Sequence, residues 1–171
     1  MDNKNNNSFC DEKRFSTFFR ENSKSLSNYI FYKCGNLDLA NDIVQDAFLK
    51  FWSNCSKVIP GKGKSFLYRI ATNLFLNEYS KSTVVLNFKS TLNDTVTNES
   101  PEFLLEEKEF GVKLQRAISN LTEVQRVTFL MHRIDGKKYR EIAEILNISI
   151  KTVEKRIHYA LISLRKEIEN I

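Results

Sequence analysis

Apolar side chains recur at spacings of three and four residues along most of the chain, which is the repeat of an amphipathic α-helix. Only two prolines and five glycines interrupt this repeat, so we predict an all-α protein. The repeat weakens over residues 82–103, where serine, threonine and asparagine are frequent, and we expect a flexible linker there. The pattern therefore predicts a disordered tail at 1–10, a small helical domain at 11–81, the linker, and a second small helical domain at 104–171.

The first domain is expected to contain three helices with an aromatic core. The first helix begins near Asp11 and ends at Gly35 and Asn36, since both residues tolerate the backbone of a helix exit. A second helix is predicted at 37–52 and a third at 66–79. Phenylalanines of the first helix and Trp52 of the second are expected to face inward.

One face of the second helix is acidic and amphipathic. Its members recur at i, i+3, i+4 and i+7, and they are Asp42, Gln45, Asp46 and Leu49. Two carboxylates one turn apart can also indicate a metal site or an acid–base pair, but neither histidine nor cysteine lies near them in sequence. We interpret this acidic stripe as a docking surface for a basic protein partner. A merely solvated face is the alternative.

The third helix interleaves aromatic, amide and cationic side chains with its core positions. Such a surface can stack on unpaired bases and hydrogen-bond to them, as Tyr68 and Asn73 are expected to do. Taken alone, the same residues would better fit a core helix with an incidental polar face. The preceding loop, 54–65, contains the only Pro/Gly cluster of this domain, and that cluster is too short and irregular for a phosphate-binding P-loop.

Residues 137–161 have the pattern of a helix-turn-helix. A narrow apolar stripe predicts a short helix that stops at Asn147, Ile148 fills the turn, and Ser149 can cap a second helix. On that second helix Val153 and Ile157 recur at helical spacing and are expected to pack inward.

The outward side chains of this last helix are predicted to read DNA in a major groove. Those expected to face the groove are Lys151, Glu154, Lys155 and His158. Those expected at one flank, within reach of a phosphate, are Thr152, Arg156 and Tyr159. The alternative is an ordinary helical hairpin with a solvated basic face. The turn, the small Ala143 and the basic start of the helix occur together, which favours DNA binding.

Composition adds moderate support and several exclusions. The formal charge of +5 and the pI near 9.1 favour a polyanionic partner without requiring one. Cys10, Cys34 and Cys55 are odd in number and far apart, so we expect neither a disulfide framework nor a zinc site, and no cofactor. The first eight residues are polar, and no apolar run approaches transmembrane length, so we expect a reduced, cytoplasmic protein without membrane insertion.

These motifs together resemble bacterial RNA polymerase sigma factors of the extracytoplasmic-function (ECF) type, in the sigma-70 family. Residues 40–52, ANDIVQDAFLKFW, are similar to the family's region that grips the clamp helices of the polymerase β′ subunit. Residues 66–73, FLYRIATN, resemble the segment that melts the minus-ten element and, with the preceding loop, holds a flipped base. Residues 121–126, LTEVQR, and the helix-turn-helix resemble the sigma-4 domain, which reads the minus-thirty-five element.

The resemblance implies a sigma-2 domain at 11–81 and a sigma-4 domain at 104–171, with no active site of their own. It implies binding to core RNA polymerase, through the acidic stripe to the β′ clamp helices and through sigma-4 to the β flap, and direction of transcription initiation. The minus-ten contacts it implies are Lys62, Lys64, Tyr68, Arg69, Asn73, Asn77 and Lys81. To the seven outward residues of the last helix it adds Arg126, Lys138 and Ser149 as minus-thirty-five contacts.

The end of the third helix departs from the family pattern. Many members have Asp-x-x-Arg and further basic residues where this chain has Asn77, Glu78, Tyr79, Ser80 and Lys81. A lost cation and an added carboxylate weaken attraction to a phosphate backbone. This leaves room for another DNA-targeting protein as a partner, beside the anti-sigma factor that the family makes a candidate.

Two other functions compete with the sigma-factor interpretation. A free-standing helix-turn-helix regulator would explain the second domain but leaves the acidic stripe and the Asn73 helix without a purpose. A nucleic-acid-modifying enzyme would need convergent histidine, cysteine or carboxylate clusters, and His132 and His158 lie inside predicted helices without such neighbours.

Overall fold

The structure is a computed structural model that describes residues 9–59, 61–79 and 101–169. These residues form seven α-helices and a short 3-10 helix, with no strand among them, which confirms the all-α prediction. The first domain contains α1 (Glu12–Cys34), α2 (Leu37–Ser53), the 3-10 helix (Cys55–Lys57) and α3 (Gly63–Tyr79). The second contains α4 (Pro101–Asn120), α5 (Glu123–Arg133), α6 (Tyr139–Leu146) and α7 (Ile150–Glu169).

Short polar residues set the helix ends of the first domain. The Asp11 side chain accepts a hydrogen bond from the Arg14 backbone at 2.9 Å, which satisfies one of the free N–H groups at the start of α1. Gly35 then ends α1 in the left-handed region, with φ at 66°. The Asn36 side chain accepts from the Leu39 backbone at 3.0 Å and starts α2. The predicted boundary between the two helices is therefore confirmed.

The helix-turn-helix forms by the same kind of local chemistry. Asn147 ends α6 with φ at 53° and ψ at 48°, as its tolerance of the left-handed region predicts. Ser149 Oγ accepts from the Thr152 backbone N–H at 3.1 Å and caps α7. At the start of α6, the Glu141 carboxylate accepts from the Lys138 backbone N–H at 2.8 Å, which offsets the missing capping hydroxyl.

An aromatic cluster holds α1, α2 and α3 together. Phe51 is fully buried, its ring is stacked on Phe18 at 5.0 Å between centroids, and it meets the edge of Phe66 at 5.8 Å. Burying side chains of this size contributes about 1.5–3 kcal/mol each. Trp52 differs from its prediction, because it lies at the rim of the cluster, 39% exposed, with its ring 4.7 Å from that of Phe15.

The ends of the predicted domains differ from the structure in two places. Residues 9 and 10 do not belong to a free tail, since Phe9 is buried and Cys10 is bonded to Cys55. Residues 101–103, predicted as linker, begin α4. The remainder of the predicted linker lies outside the described residues.

The two domains pack against each other, α1 on α5 and α3 on α6. Asp135, which follows α5, accepts hydrogen bonds on one carboxylate oxygen from Asn28 Nδ2 at 2.7 Å and from the Tyr32 hydroxyl at 2.9 Å. Ser65 of α3 donates to the backbone oxygen of Glu144 in α6 at 2.8 Å. The start of α3 is thus tied to the first helix of the helix-turn-helix.

Candidate polymerase and nucleic-acid interfaces

The acidic stripe lies on the solvent side of α2. Asp42, Gln45, Asp46 and Leu49 are all exposed, and Leu49 has 68% of its surface accessible. The opposite side of α2 is buried among the aromatic cluster and fixes the rotation of the helix. The structure therefore brings the four predicted residues together as one surface that combines two carboxylates, an amide and an apolar side chain.

The outward face of α3 carries Arg69, Asn73 and Asn77, all exposed. The Arg69 guanidinium lies over the Phe66 ring, with Cζ 5.4 Å from the centroid, which holds the cation near the helix start. Lys62, just before α3, and Lys64, in its first turn, are also exposed, so five of the seven predicted minus-ten residues are accessible. Of the other two, Tyr68 is buried and Lys81 lies outside the described residues.

The predicted role of Tyr68 does not fit its position. Tyr68 is 1% exposed, its hydroxyl is 2.6 Å from Ser25 Oγ, and its ring is 5.0 Å from that of Tyr29. Burial raises the pKa of its phenol, so the hydroxyl stays protonated. A ring enclosed in this way cannot stack on a base in this arrangement, and we correct its assignment to a core residue. Its spacing from Ala71 and Phe75, which are also buried, is the signal that indicates a core position.

A cleft of about 570 Å³ separates α3 from the turn of the helix-turn-helix. Phe66, Arg69 and Asn73 line one wall, and Leu146 and Asn147 line the other. Lys57, from the 3-10 helix, also lines the cleft; the family resemblance gave the preceding loop a part in holding a flipped base, but the sequence interpretation did not name this residue. The cleft combines cations, an aromatic ring and an amide, the groups that bind single-stranded nucleic acid.

The outward face of α7 is open to solvent. Lys151, Glu154, Lys155, His158 and Tyr159 are exposed, whereas Val153, Ile157 and Ala160 are buried on the side of α7 that packs against the other helices of the second domain. Two flank residues, Thr152 and Arg156, are half-buried, and the Thr152 hydroxyl is 2.8 Å from that of Ser149. Ser149 and Lys138 are exposed at the starts of the two helices. The predicted division into inward, outward and flank positions matches these exposures, except that Tyr159 is as open as the groove residues.

Arg126 lies elsewhere than predicted. It is 2% exposed, and its guanidinium donates to the backbone oxygens of Tyr32 at 2.9 Å and Lys33 at 3.5 Å, at the end of α1. It also donates to the Leu121 oxygen at 2.9 Å. The last carbonyls of a helix lack partners within the helix and carry its negative dipole end, so a cation is well placed there. Arg126 therefore joins the two domains and is not available to contact DNA in this arrangement.

The cysteine prediction was wrong for one pair. Cys10 and Cys55 form a disulfide across 45 residues, with their Cα atoms 5.2 Å apart. Cys34 is free and buried, and burial raises the pKa of its thiol.

Among the described residues, no cluster of three or more histidine, cysteine or acidic side chains could hold a metal ion. Within the same residues, no helix is long and apolar enough to cross a membrane.

Comparison with known proteins assigns the family. Sigma-70 region 2 matches residues 18–84, and Sigma-70, region 4 matches residues 111–164. The chain is 31% identical over 148 residues to the ECF RNA polymerase sigma factor SigW of Bacillus subtilis (strain 168), which covers 80% of this chain and 79% of that protein. The chain belongs to the ECF sigma factors of the sigma-70 family. As an ECF sigma factor it binds core RNA polymerase and promoter DNA and directs transcription initiation.

Two further comparisons agree with this assignment. The ECF RNA polymerase sigma factor SigE of Mycolicibacterium smegmatis is 28% identical over 149 residues, and the match covers 85% of this chain and 58% of that longer protein. The solved structure of the sigma factor RpoE bound to the anti-sigma factor NepR from Bartonella quintana shares the fold, with a TM-score of 0.61 and 21% identity over 92% of this chain and 98% of that one. A free-standing helix-turn-helix regulator is not favoured, because the region 2 match at residues 18–84 covers most of the first domain.

Proposed function

We propose that three surfaces of this ECF sigma factor divide the work of initiation. The acidic stripe binds the clamp helices of the polymerase β′ subunit, and the outward face of α3 opens the minus-ten element. The face of α7 reads the minus-thirty-five element, while the sigma-4 domain also contacts the β flap. In this proposal sigma-2 spans 11–81 and sigma-4 spans 104–171, and the chain has no catalytic activity of its own.

One observation carries the polymerase contact. Asp42 and Asp46 form no ion pair within the part of the chain that the structure describes, and the largely exposed Leu49 lies beside them. Two unpaired carboxylates around an exposed leucine contribute little to the stability of the isolated fold. They suit a partner surface that supplies cations around an apolar contact, where charged hydrogen bonds are strong.

The cleft beside α3 supports the strand-opening role. Asn73 can read a base edge, Phe66 offers a ring for stacking, and Lys57 and Lys62 can neutralise phosphates. With Tyr68 in the core, Phe66 is the aromatic residue of this face that a base can reach.

The end of α3 supports a further partner. Asn77 and Glu78 are exposed there, so this end of the reading helix adds no cation to the approaching DNA. A partner that brings the polymerase to DNA would compensate for this weak attraction. Since RpoE of Bartonella quintana is bound by the anti-sigma factor NepR, an anti-sigma factor is a second candidate partner.

The test separates polymerase binding from strand opening. Asp46→Lys should weaken binding to core polymerase at least tenfold, because it places a cation against a basic surface, while Asn73→Ala should leave that affinity unchanged. Asn73→Ala should instead slow promoter opening about tenfold, as loss of a base contact worth about 1–3 kcal/mol predicts. Affinity is measured by fluorescence anisotropy and opening by permanganate reactivity of the minus-ten thymines.

Glu21→Lys is the matched control, because Glu21 is exposed on α1 and undergoes the same change of charge. Circular dichroism checks that each variant is folded. If Asp46→Lys bound core polymerase like the parent, the acidic stripe would not be the docking surface. If Asn73→Ala opened the promoter at the parental rate, the assignment of α3 would be wrong.

A further inference from the structure

The segment before α1 is bonded to the loop that precedes the promoter-opening helix. Cys10 is exposed and Cys55 is half-buried, so both sulfurs are near solvent. We propose that Cys10 and Cys55 form a reversible dithiol–disulfide site whose oxidation fixes the 3-10 helix Cys55–Lys57 and thereby favours strand opening. The effect on strand opening rests on the proposed function of α3, whereas the dithiol site itself does not.

Phe9 anchors the segment that carries Cys10 through contacts that do not involve the disulfide. Its buried ring meets the rings of Phe18 at 5.0 Å and Phe51 at 5.3 Å, and the Arg14 guanidinium lies 4.7 Å from its centroid. Cys10 is the next residue, so we expect this anchor to keep it close to Cys55 after reduction. A high local concentration of one thiol beside the other makes bond formation effectively intramolecular.

The Phe9 ring also packs against the start of α3. A methyl group added at Gly63, the first residue of α3, would lie only 2.4 Å from Cζ of Phe9, so the ring is packed directly against that backbone. Gly63 therefore has no room for a side chain. The N-terminal segment consequently holds the chain at both ends of the loop, at Cys55 by the disulfide and at Gly63 by this contact.

The loop between these two points carries residues of the DNA cleft. Cys55 begins the 3-10 helix that contains Lys57, and both Lys57 and Lys62 line the cleft opposite the helix-turn-helix. Fixing the loop before DNA arrives removes part of the ordering cost of binding. Oxidation should therefore raise the rate of opening, and reduction should lower it.

Formation of the bond is a balanced exchange with a small disulfide. One cysteine thiolate attacks a low-molecular-weight disulfide, which forms a mixed disulfide and releases one small thiolate. The other cysteine thiolate attacks the protein sulfur of that mixed disulfide and releases the second small thiolate. The protein loses two electrons and two protons, and the small disulfide becomes two thiols.

Cys34 supplies an internal control. It is buried, its thiol donates to the Asn36 backbone oxygen at 3.2 Å, and a buried thiol of raised pKa is a poor nucleophile. Replacing it should leave the redox behaviour unchanged, whereas replacing either of the other cysteines should abolish it.

The experiment uses the full chain equilibrated in buffers of graded reduced and oxidised glutathione. Thiols are counted by maleimide labelling and mass spectrometry, and thermal stability is followed in parallel. We expect two thiols to disappear together, and the oxidised form to melt about 10 °C higher, because a bond across 45 residues restricts the unfolded chain. Cys34→Ser should behave like the parent, and Cys10→Ser should show neither change.

Promoter opening is then measured after oxidised or reduced sigma factor has been freed of glutathione and mixed with core polymerase. We expect opening to be about threefold to tenfold faster with the oxidised form, and Cys10→Ser to open at the reduced rate under both treatments. Loss of thiols one at a time, or equal melting of both forms, would overturn the proposal.

A disulfide that forms without changing the opening rate would also overturn it, while the proposed function would stand. Absence of opening in both redox states would contradict the proposed function and, with it, the effect of the disulfide on opening. The thiol count would still show whether the dithiol site exists.

Discussion

The two helices proposed to read DNA are exposed to different degrees. On α7 the outward side chains Lys151, Glu154, Lys155 and His158 all face solvent. On α3 the outward face forms one wall of a cleft, and Leu146 and Asn147 of the second domain form the other wall. The face of α7 that is proposed to read the minus-thirty-five element is therefore open in this arrangement. The face of α3 that is proposed to open the minus-ten element is partly covered by the second domain, to which α7 belongs.

The difference has a geometric consequence for promoter binding. Elements centred near minus ten and minus thirty-five are about 25 base pairs apart, which is about 85 Å of B-DNA at about 3.4 Å per pair. Two domains in direct contact, with α3 packed on α6, cannot place their reading helices that far apart. With the proposed roles of α3 and α7, reading both elements requires the second domain to leave α3, so the contacts between the domains would oppose full promoter engagement.

The largest expected effect comes from the buried arginine that joins the domains. Arg126→Ala should lower the free energy of unfolding by about 2–4 kcal/mol, because it leaves the Tyr32 and Leu121 carbonyls without their donor and creates a cavity. Arg126→Lys should recover only part of this loss, since an ammonium cannot reach the same carbonyls as a planar guanidinium. Chemical denaturation measures both.

Arg133→Ala is the control, because Arg133 is exposed on the same helix and its loss should change stability by less than about 0.5 kcal/mol. If Arg126→Ala were as stable as the parent and altered only minus-thirty-five binding, the DNA-contact interpretation would be restored.

A smaller effect, on the choice of promoter and on DNA affinity, is expected from the outward face of α7. Lys155→Ala should change which minus-thirty-five sequences are used, with each discriminated base worth about 1–3 kcal/mol, because a lysine can donate to guanine. Arg156→Ala should weaken all sites alike and reduce the salt slope by about one, as loss of a phosphate contact predicts. A promoter-library transcription assay at several salt concentrations measures both.

Thermal melting must accompany this assay, because Arg156 is half-buried and can also act through packing. Lys155 is exposed, so its replacement should leave melting unchanged. An unaltered sequence preference in the Lys155→Ala variant would show that α7 does not read bases through this residue.

The sequence predicted the features that depend on local chemistry. The period of three and four placed the acidic stripe outward and Val153 and Ile157 inward, because a helix fixes the angle between successive side chains. Gly35 and Asn147 marked helix exits for an equally local reason, since both adopt the left-handed backbone there.

The features that the sequence did not predict depend on distant parts of the chain. Arg126 is buried because the end of α1, more than 90 residues earlier, offers carbonyls without helical partners. The pairing of Cys10 with Cys55 follows from the position of Phe9 against α3, which no spacing rule reveals. The cleft itself exists only because α6 packs on α3, and a pattern within either helix cannot indicate that contact.

The smallest expected effect tests directly whether the second domain restricts access to α3. Ser65→Ala removes one hydrogen bond between α3 and α6, the donation of 2.8 Å to the Glu144 oxygen, worth about 0.5–1.5 kcal/mol. If the covered arrangement predominates in solution, loss of this bond should raise the affinity for a single-stranded minus-ten oligonucleotide by about twofold to tenfold, because apparent affinity scales with the population of the uncovered form. Fluorescence anisotropy with the non-template strand measures the change.

Ser119→Ala is a matched control, since its hydroxyl donates to the Gln115 oxygen at 2.9 Å within α4 and joins no two domains. It should leave oligonucleotide affinity unchanged while costing similar stability. Weaker binding by Ser65→Ala would mean that Ser65 contacts the strand itself, and equal binding would mean that α6 does not limit access to α3. Either result would remove the contrast between the two reading helices, because α3 would then be as available to DNA as α7.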